Sequence, residues 1–452
     1  MSELHFDLVV IGTGPSASTV ARKTCSGGKR VAIIESRQFG GTCALRGCNP
    51  KKVYTNAANL LDGVLSGRGK LIECDQLRIN WKNLLEFQRQ FTQPVAEKTE
   101  ASFQKEGIET FHGTASFTGP TTILVGDQHL SAERLFIGVG ARPRPLDIPG
   151  AELAVLSDDF FDLSEIPKRV VFIGGGYISM EFACVVARYG STVTVIQHAA
   201  QVLKEFDIDL VTQLVAYSGK HGIDVITNGD VKAIEHGDGQ SMVVHYKTAN
   251  ETKSVTADLV VHGAGRIPNV DDLKLNAGQV TYGERGIKVD QFMRSISNSA
   301  VFAGGDCADT GKPRLTPTAN EEARIVVKNL FATNPSDHPD YGTIPQVAFT
   351  VPCIAAIGMS QAEAEAAHDV DIRHEDTSSW GSVRKTGQTC AGYKILIDKK
   401  TDLILGAHLI GPAADETINL FALAMKHELT ATDMKSTLFA FPTFASDVRR
   451  MI

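Results

Sequence analysis

A strand that runs into a glycine turn and then into a helix occurs twice in this 452-residue chain, and no other feature restricts its fold as strongly. The first copy is Phe6-Asp7-Leu8-Val9-Val10-Ile11-Gly12-Thr13-Gly14-Pro15-Ser16-Ala17. A helical stretch over 16–25 follows, then a second strand, Arg30-Val31-Ala32-Ile33-Ile34-Glu35. The second copy is Val170-Val171-Phe172-Ile173-Gly174-Gly175-Gly176-Tyr177-Ile178-Ser179, with Thr192-Val193-Thr194-Val195-Ile196 as its following strand. Short continuous apolar runs bounded by glycine read as parallel strands covered on both faces. Gly12 and Gly14 allow the tight turn, Ala17 takes the close-packing position, and an acid, Glu35, ends the next strand. This is the βαβ dinucleotide fingerprint. One such turn is a weak signal; two, each with a strand before and after, are a strong one.

The expected class is therefore α/β, with two Rossmann-like dinucleotide-binding domains. Further strand-to-glycine elements occur at 135–143, at 259–269 and at 300–306, where the last ends in Asp306. A proline-containing stretch over 334–345 reads as a linker. Beyond it, strand-like runs (394–397 and 403–405) and an amphipathic helix over about 415–427 indicate a separate α+β domain. The expected divisions are 1–148, 149–270, 271–340 and 341–452. The charge balance, 45 Lys+Arg against 52 Asp+Glu, gives −7 and speaks against a dedicated nucleic-acid binder. No apolar run approaches the roughly 18 residues of a membrane span, and the N-terminus lacks a basic leader. A cytoplasmic protein without membrane attachment is expected.

Eight cysteines are too few for a disulfide scaffold. Two of them lie close together in Gly40-Gly41-Thr42-Cys43-Ala44-Leu45-Arg46-Gly47-Cys48-Asn49-Pro50-Lys51-Lys52. A disulfide closing so short a loop restricts the unfolded chain by only roughly 2 kcal/mol, against roughly 4.7 for a 100-residue loop. Cys43 and Cys48 are better suited to redox cycling, and Arg46, Lys51 and Lys52 are expected to favour the reactive thiolate. Half of a zinc site, or two unrelated thiols, are the alternatives. The other cysteines are scattered singly, which disfavours zinc, and no metal site is expected.

These segments, in this order, resemble the pyridine nucleotide-disulfide oxidoreductases: glutathione reductase, dihydrolipoamide dehydrogenase, mercuric reductase and their relatives. The resemblance also takes in Gly265-Arg266-Ile267-Pro268-Asn269, Gly304-Gly305-Asp306 and Phe349-Thr350-Val351-Pro352-Cys353-Ile354-Ala355-Ala356-Ile357-Gly358. It implies FAD and NAD(P) domains, a C-terminal dimerisation domain and a homodimer. Gly12 and Gly14 would hold the FAD pyrophosphate, Glu35 its ribose and Asp306 its ribityl chain, with Gly41, Thr42 and Arg266 among the cofactor-binding residues. Gly174, Gly176 and Ser179 would cradle the nicotinamide cofactor, and Tyr177 would cover the flavin. Lys51 and Glu181 match the pair beside the flavin. Cys48 matches the flavin-facing thiol and Cys43 the outer thiol that meets the acceptor.

Two departures from the family pattern stand out. Disulfide-reducing members carry His-Pro-Thr near the C-terminus, with a Glu five positions after the His. Here Phe441-Pro442-Thr443 and Ser446 occupy those places. Phenylalanine transfers no proton, so a disulfide or other thiol-reactive acceptor with low proton demand is expected, with a metal ion or a quinone as alternatives. A flavin-bound redox sensor without turnover is the non-enzymatic reading. The mercuric-reductase cysteine pair is missing from the C-terminus. In the second nucleotide unit, Gln197 stands where an NAD site would place an acid; His198 and Lys204 could meet a 2′-phosphate, which favours NADPH over NADH.

Overall fold

The structure is a computed structural model, and it describes residues 3–249 and 251–452. The chain forms two compact units, Met1–Pro50 with Gln88–Arg144 and Arg266–Tyr341, and Lys51–Phe87 with Pro145–Gly265 and Gly342–Ile452.

The first unit is built on a seven-stranded sheet. The strand Leu4–Ile11 pairs in parallel with Val31–Glu35 on one side and with Gln128–Ile137 on the other. Phe6, Leu8, Val9 and Val10 have no exposed surface, so both faces of this strand are covered, as its unbroken apolar run requires. The helix Pro15–Ser26 joins the first two strands and buries Ala17, Val20, Ala21 and Thr24. That spacing is the apolar stripe of a helix laid on a sheet. The strand Val301–Ala303 adds in parallel beside Gln128–Ile137. It returns the chain to the carboxyl ends of the parallel strands, where ligands of open α/β sheets bind.

The second unit repeats the plan with a five-stranded parallel sheet. In it Arg169–Ile173 lies between Thr192–Ile196 and Leu259–His262. The helix Tyr177–Tyr189 follows the second glycine turn and ends at Gly190, whose φ of 114° is the left-handed conformation that terminates helices. The last hundred or so residues add a five-stranded antiparallel sheet. The helix Ala414–Lys426 packs on it through Ala414, Thr417, Ile418, Phe421 and Ala424. Phe421 is wholly buried, and truncating a core phenylalanine to alanine costs about 3–5 kcal/mol. The expected helix and strands of this region are present, and the stretch 334–345 connects Thr316–Asn329 to the strand Gln346–Ala348.

Among the described residues, no helix is long and apolar enough to cross a membrane.

Candidate active site

In the first unit, Gly12 has φ +100°, and a Cβ there would lie 2.4 Å from the Gly138 carbonyl oxygen. Only glycine permits that approach. Gly14 caps the helix Pro15–Ser26 without a side-chain bond, so the first-turn N–H groups keep their capacity for an anion. Gly41, with φ +71°, packs backbone to backbone on the turn; a Cβ there would meet the Gly14 Cα at 2.5 Å. Thr13 ties the corner together. Its hydroxyl donates to Glu35 Oε2 at 2.5 Å and accepts from the Gly40 N–H at 3.0 Å. Glu35 Oε1 also accepts from the Arg37 N–H at 3.0 Å.

Asp306 lies in the short turn after Val301–Ala303. Burial pushes its carboxyl up, and the guanidinium groups of Arg266 and Arg314 pull the other way. Behind it stands Glu322, 1% exposed. Its Oε2 accepts from the Gly305 N–H at 2.6 Å and its Oε1 from the Tyr341 hydroxyl at 3.0 Å. Burial pushes the Glu322 carboxyl up to about 7, against those hydrogen bonds. A carboxyl whose folded value is raised contributes stability at low pH and loses it as pH rises through that value. Melting temperature is therefore expected to fall more between about pH 5 and 8 in the wild type than in Glu322→Gln. Equal slopes would remove this role.

The two cysteines meet in the same unit. Cys43 sits in the short helix Gly41–Leu45, and Cys48 begins the helix Cys48–Gly67. Gly47 lets the chain fold back between them, because a Cβ there would lie 2.8 Å from the Thr42 carbonyl oxygen. The Cys43 thiol hydrogen-bonds to Cys48, and this bond together with burial pushes the Cys43 thiol well up. The thiolate expected from neighbouring cations is thus not favoured at Cys43. Lys51 and Lys52 are engaged elsewhere. Thr316, which the sequence reading missed, donates its hydroxyl to the Cys43 Sγ at 3.4 Å.

In the second unit, Glu181 is 1% exposed. Its Oε2 takes both Lys52 Nζ at 2.6 Å and Lys51 Nζ at 3.1 Å, and its Oε1 accepts from the Phe349 N–H at 3.0 Å. Burial works to raise this carboxyl; the two ammonium groups and the hydrogen bonds from Lys52 and Phe349 outweigh it and hold the carboxyl below its ordinary range. The expected partnership of Lys51 and Glu181 is therefore present, with Lys52 as an unexpected third member.

The second glycine turn has the same economy as the first. Gly174 has φ +93°, and its Cβ would come within 2.7 Å of the Gly263 carbonyl oxygen. Gly176 caps the helix Tyr177–Tyr189 with no side-chain bond. Ser179 is wholly buried, and its hydroxyl lacks a hydrogen-bond partner among the described residues. It packs behind the turn, where a Cβ on Gly263 would strike its Oγ. Tyr177 donates its hydroxyl to Gln346 Oε1 at 3.0 Å. Gln197 is turned inward, accepting from the Gly175 N–H at 2.9 Å and donating to the Gln201 carbonyl at 3.3 Å. His198 and Lys204 are exposed, and Lys204 Nζ lies 3.5 Å from Glu205 Oε1. Phe441 precedes Pro442 through a cis peptide and is 87% exposed. Ser446 is occupied in a local turn with Thr443, and Asp447 accepts from the Ser382 hydroxyl.

Among the described residues, no group of three or more His, Cys, Asp or Glu side chains could hold a metal ion.

Residues 6–323 match the pyridine nucleotide-disulphide oxidoreductase family model, and residues 344–452 match the dimerisation domain of the same family. The chain is 32% identical to glutathione reductase of Burkholderia cepacia, over 99% of this chain and 98% of that protein. It is 30% identical to glutathione reductase of Nostoc sp., over 98% of each. Among solved structures, the copper(II) complex of the HOCl-induced flavoprotein disulfide reductase RclA from Escherichia coli has the same fold. Its TM-score is 0.88 at 24% identity, and the match covers 100% of this chain and 99% of that one. The chain belongs to the pyridine nucleotide-disulphide oxidoreductase family. It is an oxidoreductase of that class, using FAD and a nicotinamide cofactor.

The residues present fit both cofactors. Each glycine turn opens onto an uncapped helix N-terminus, which suits a pyrophosphate, and Glu35 and Asp306 are carboxyl acceptors suited to hydroxyl groups.

Proposed function

We propose that this enzyme passes electrons from NADPH through FAD and the Cys43–Cys48 pair to a disulfide or other thiol-reactive acceptor, and that it works poorly on glutathione disulfide. The observation that carries the reading is the contact between Cys43 and Cys48 within the unit that holds the first glycine turn. When bound, the flavin relays reducing equivalents from the nicotinamide to sulfur. Gly12, Gly14, Gly41, Thr42, Glu35, Asp306 and Arg266 hold it. Within the second unit, Gly174, Gly176, Tyr177 and Ser179 would take the nicotinamide cofactor, and Glu181 holds the ammonium groups of Lys51 and Lys52. Cys48 is the flavin-facing thiol, and Cys43 is the thiol that attacks the acceptor. The C-terminal segment with Phe441 offers aromatic carbon rather than an imidazole, as part of a homodimer.

NADPH is favoured by the absence of an acid at the strand end and by the exposed His198 and Lys204. A larger kcat/KM for NADPH than for NADH tests this, and the reverse order overturns it.

Loss of a positioned acid/base lowers the rate of a reaction that needs one by about 10²–10⁴. Turnover on glutathione disulfide is expected to lie that far below a dedicated glutathione reductase assayed alongside. Rates equal to those of the Burkholderia cepacia relative would show that Phe441 is no handicap. A panel of disulfides, metal ions and quinones identifies the acceptor. A thiophilic cation is the second reading, favoured by the copper(II) complex of RclA and by the two sulfurs it would meet here.

A further inference from the structure

We propose that Lys394 is a positioning residue for the nicotinamide coenzyme: through Asp207 it holds the far end of the loop 197–207, on which the 2′-phosphate is read. The inference rests on the NADPH reading above and names what keeps that loop in shape.

All of these groups lie in the second unit. The loop leaves the strand Thr192–Ile196 and enters the helix Ile208–Gly219. In a βαβ nucleotide unit the end of that second strand is where the adenosine ribose is recognised. The loop exposes His198 and Lys204, while Val202, Leu203 and Phe206 are buried in the core of this unit. Its near end is tied to the glycine turn. Besides the Gln197 bonds, the Leu203 N–H donates to the Gly175 carbonyl at 2.8 Å, and Gln201 Nε2 donates to the Phe206 carbonyl at 2.9 Å. Leu203 has φ +48°, a left-handed conformation that bulky side chains avoid and that persists only where the surroundings hold it.

The far end is held by charge. Asp207 is the N-cap residue of the helix Ile208–Gly219, and its Oδ1 accepts from the N–H groups of Asp209 at 3.1 Å and Leu210 at 3.4 Å. Its Oδ2 takes Lys394 Nζ at 2.8 Å. Lys394 comes from the strand Gly392–Asp398 of the antiparallel sheet, and its side chain is 3% exposed. An ammonium group has three protons to donate, and each meets an oxygen here: Asp207 Oδ2, Asp209 Oδ2 at 2.5 Å and Gln361 Oε1 at 2.9 Å. Cap and ion pair use different oxygens of one carboxylate, so the residue that follows Phe206 is fixed to the helix and to the sheet at once. The exposed side chains of the loop sit between two anchors, the Gly175 turn before them and Lys394 behind.

The test is calorimetric titration of the FAD-loaded holoenzyme with NADP+ and with NAD+, together with anaerobic stopped-flow bleaching of the flavin by NADPH. Lys394→Met is expected to raise the Kd for NADP+, and the NADPH concentration for half-maximal bleaching, by about tenfold. The Kd for NAD+, which has no 2′-phosphate, and the bleaching rate at saturating NADPH should stay within about twofold of wild type. A merely structural loss would weaken both nucleotides alike. Asp207→Asn keeps a capping side chain and removes the charge pair. It should reproduce the pattern, and it keeps the test available should methionine disturb folding. The double variant should lose no more than Lys394→Met alone, because both changes remove one contact. Unshifted NADP+ binding in both single variants, equal losses for the two nucleotides, or additive losses in the double variant would overturn the anchor. A wild type that binds NAD+ more tightly than NADP+ would instead overturn the NADPH reading on which it rests. A wild type that prefers NADP+, with unshifted variants, removes the anchor alone.

Discussion

Cys43→Ser is expected to lose acceptor reduction by at least about 10³-fold while the flavin is still bleached by reduced nicotinamide at close to the wild-type rate. The asymmetry follows from where the residue stands. Cys43 contacts Cys48 and Thr316, whereas the charged cluster of Glu181, Lys51 and Lys52 does not include it. Serine keeps the size and the hydrogen bonds but is a poor nucleophile at neutral pH, so only the steps that require sulfur at position 43 fail. Stopped-flow absorbance of the flavin, followed by steady-state assays on the best acceptor of the panel, separates the two halves. If turnover survives, electrons leave the flavin directly, as they would toward a quinone, and the sulfur route is wrong.

Glu181→Gln is the second large effect. The carboxylate is buried and holds two ammonium groups, so its neutralisation leaves uncompensated cations beside Phe349 and Phe182. Removing one member of a buried ion pair costs about 3–5 kcal/mol. The lower end applies here, because the Lys52 side chain is 31% exposed and water screens it. The folded Glu181 carboxyl titrates below its ordinary value, so its contribution is complete above the unfolded value and disappears as pH falls through the folded one. The difference in denaturant midpoint between wild type and Glu181→Gln should therefore be full at pH 7 and should shrink below about pH 4. A difference that grows on acidification would contradict the charge cluster.

The architecture could be read from the chain wherever one element carried its own signal. The run Phe6 to Ile11 is apolar at every position but Asp7, and it is the strand covered on both faces. Gly12, Gly41 and Gly174 sit where a Cβ would strike another backbone, so residue type and geometry agree. The helix Ala414–Lys426 shows its buried stripe in its spacing. What escaped the reading depends on partners distant in sequence. Thr316 meets Cys43 across 273 residues, and a lone threonine before a proline carries no mark of that contact. Lys52 looked like a neighbour for the thiols because it is near them in sequence, yet it turns to a carboxylate 129 residues away. The burial of Ser179 against Gly263 is likewise a packing outcome that a motif position does not disclose.

The inward turn of Gln197 bears on any attempt to retool the enzyme for the other coenzyme. Its amide oxygen holds the Gly175 N–H and its amide nitrogen holds the Gln201 carbonyl. A glutamate installed there would face that carbonyl with a like partial charge and leave it without its donor. Swapping one letter at the strand end would thus loosen the loop before it altered taste, and a redesign campaign should begin with the exposed side chains from His198 onward.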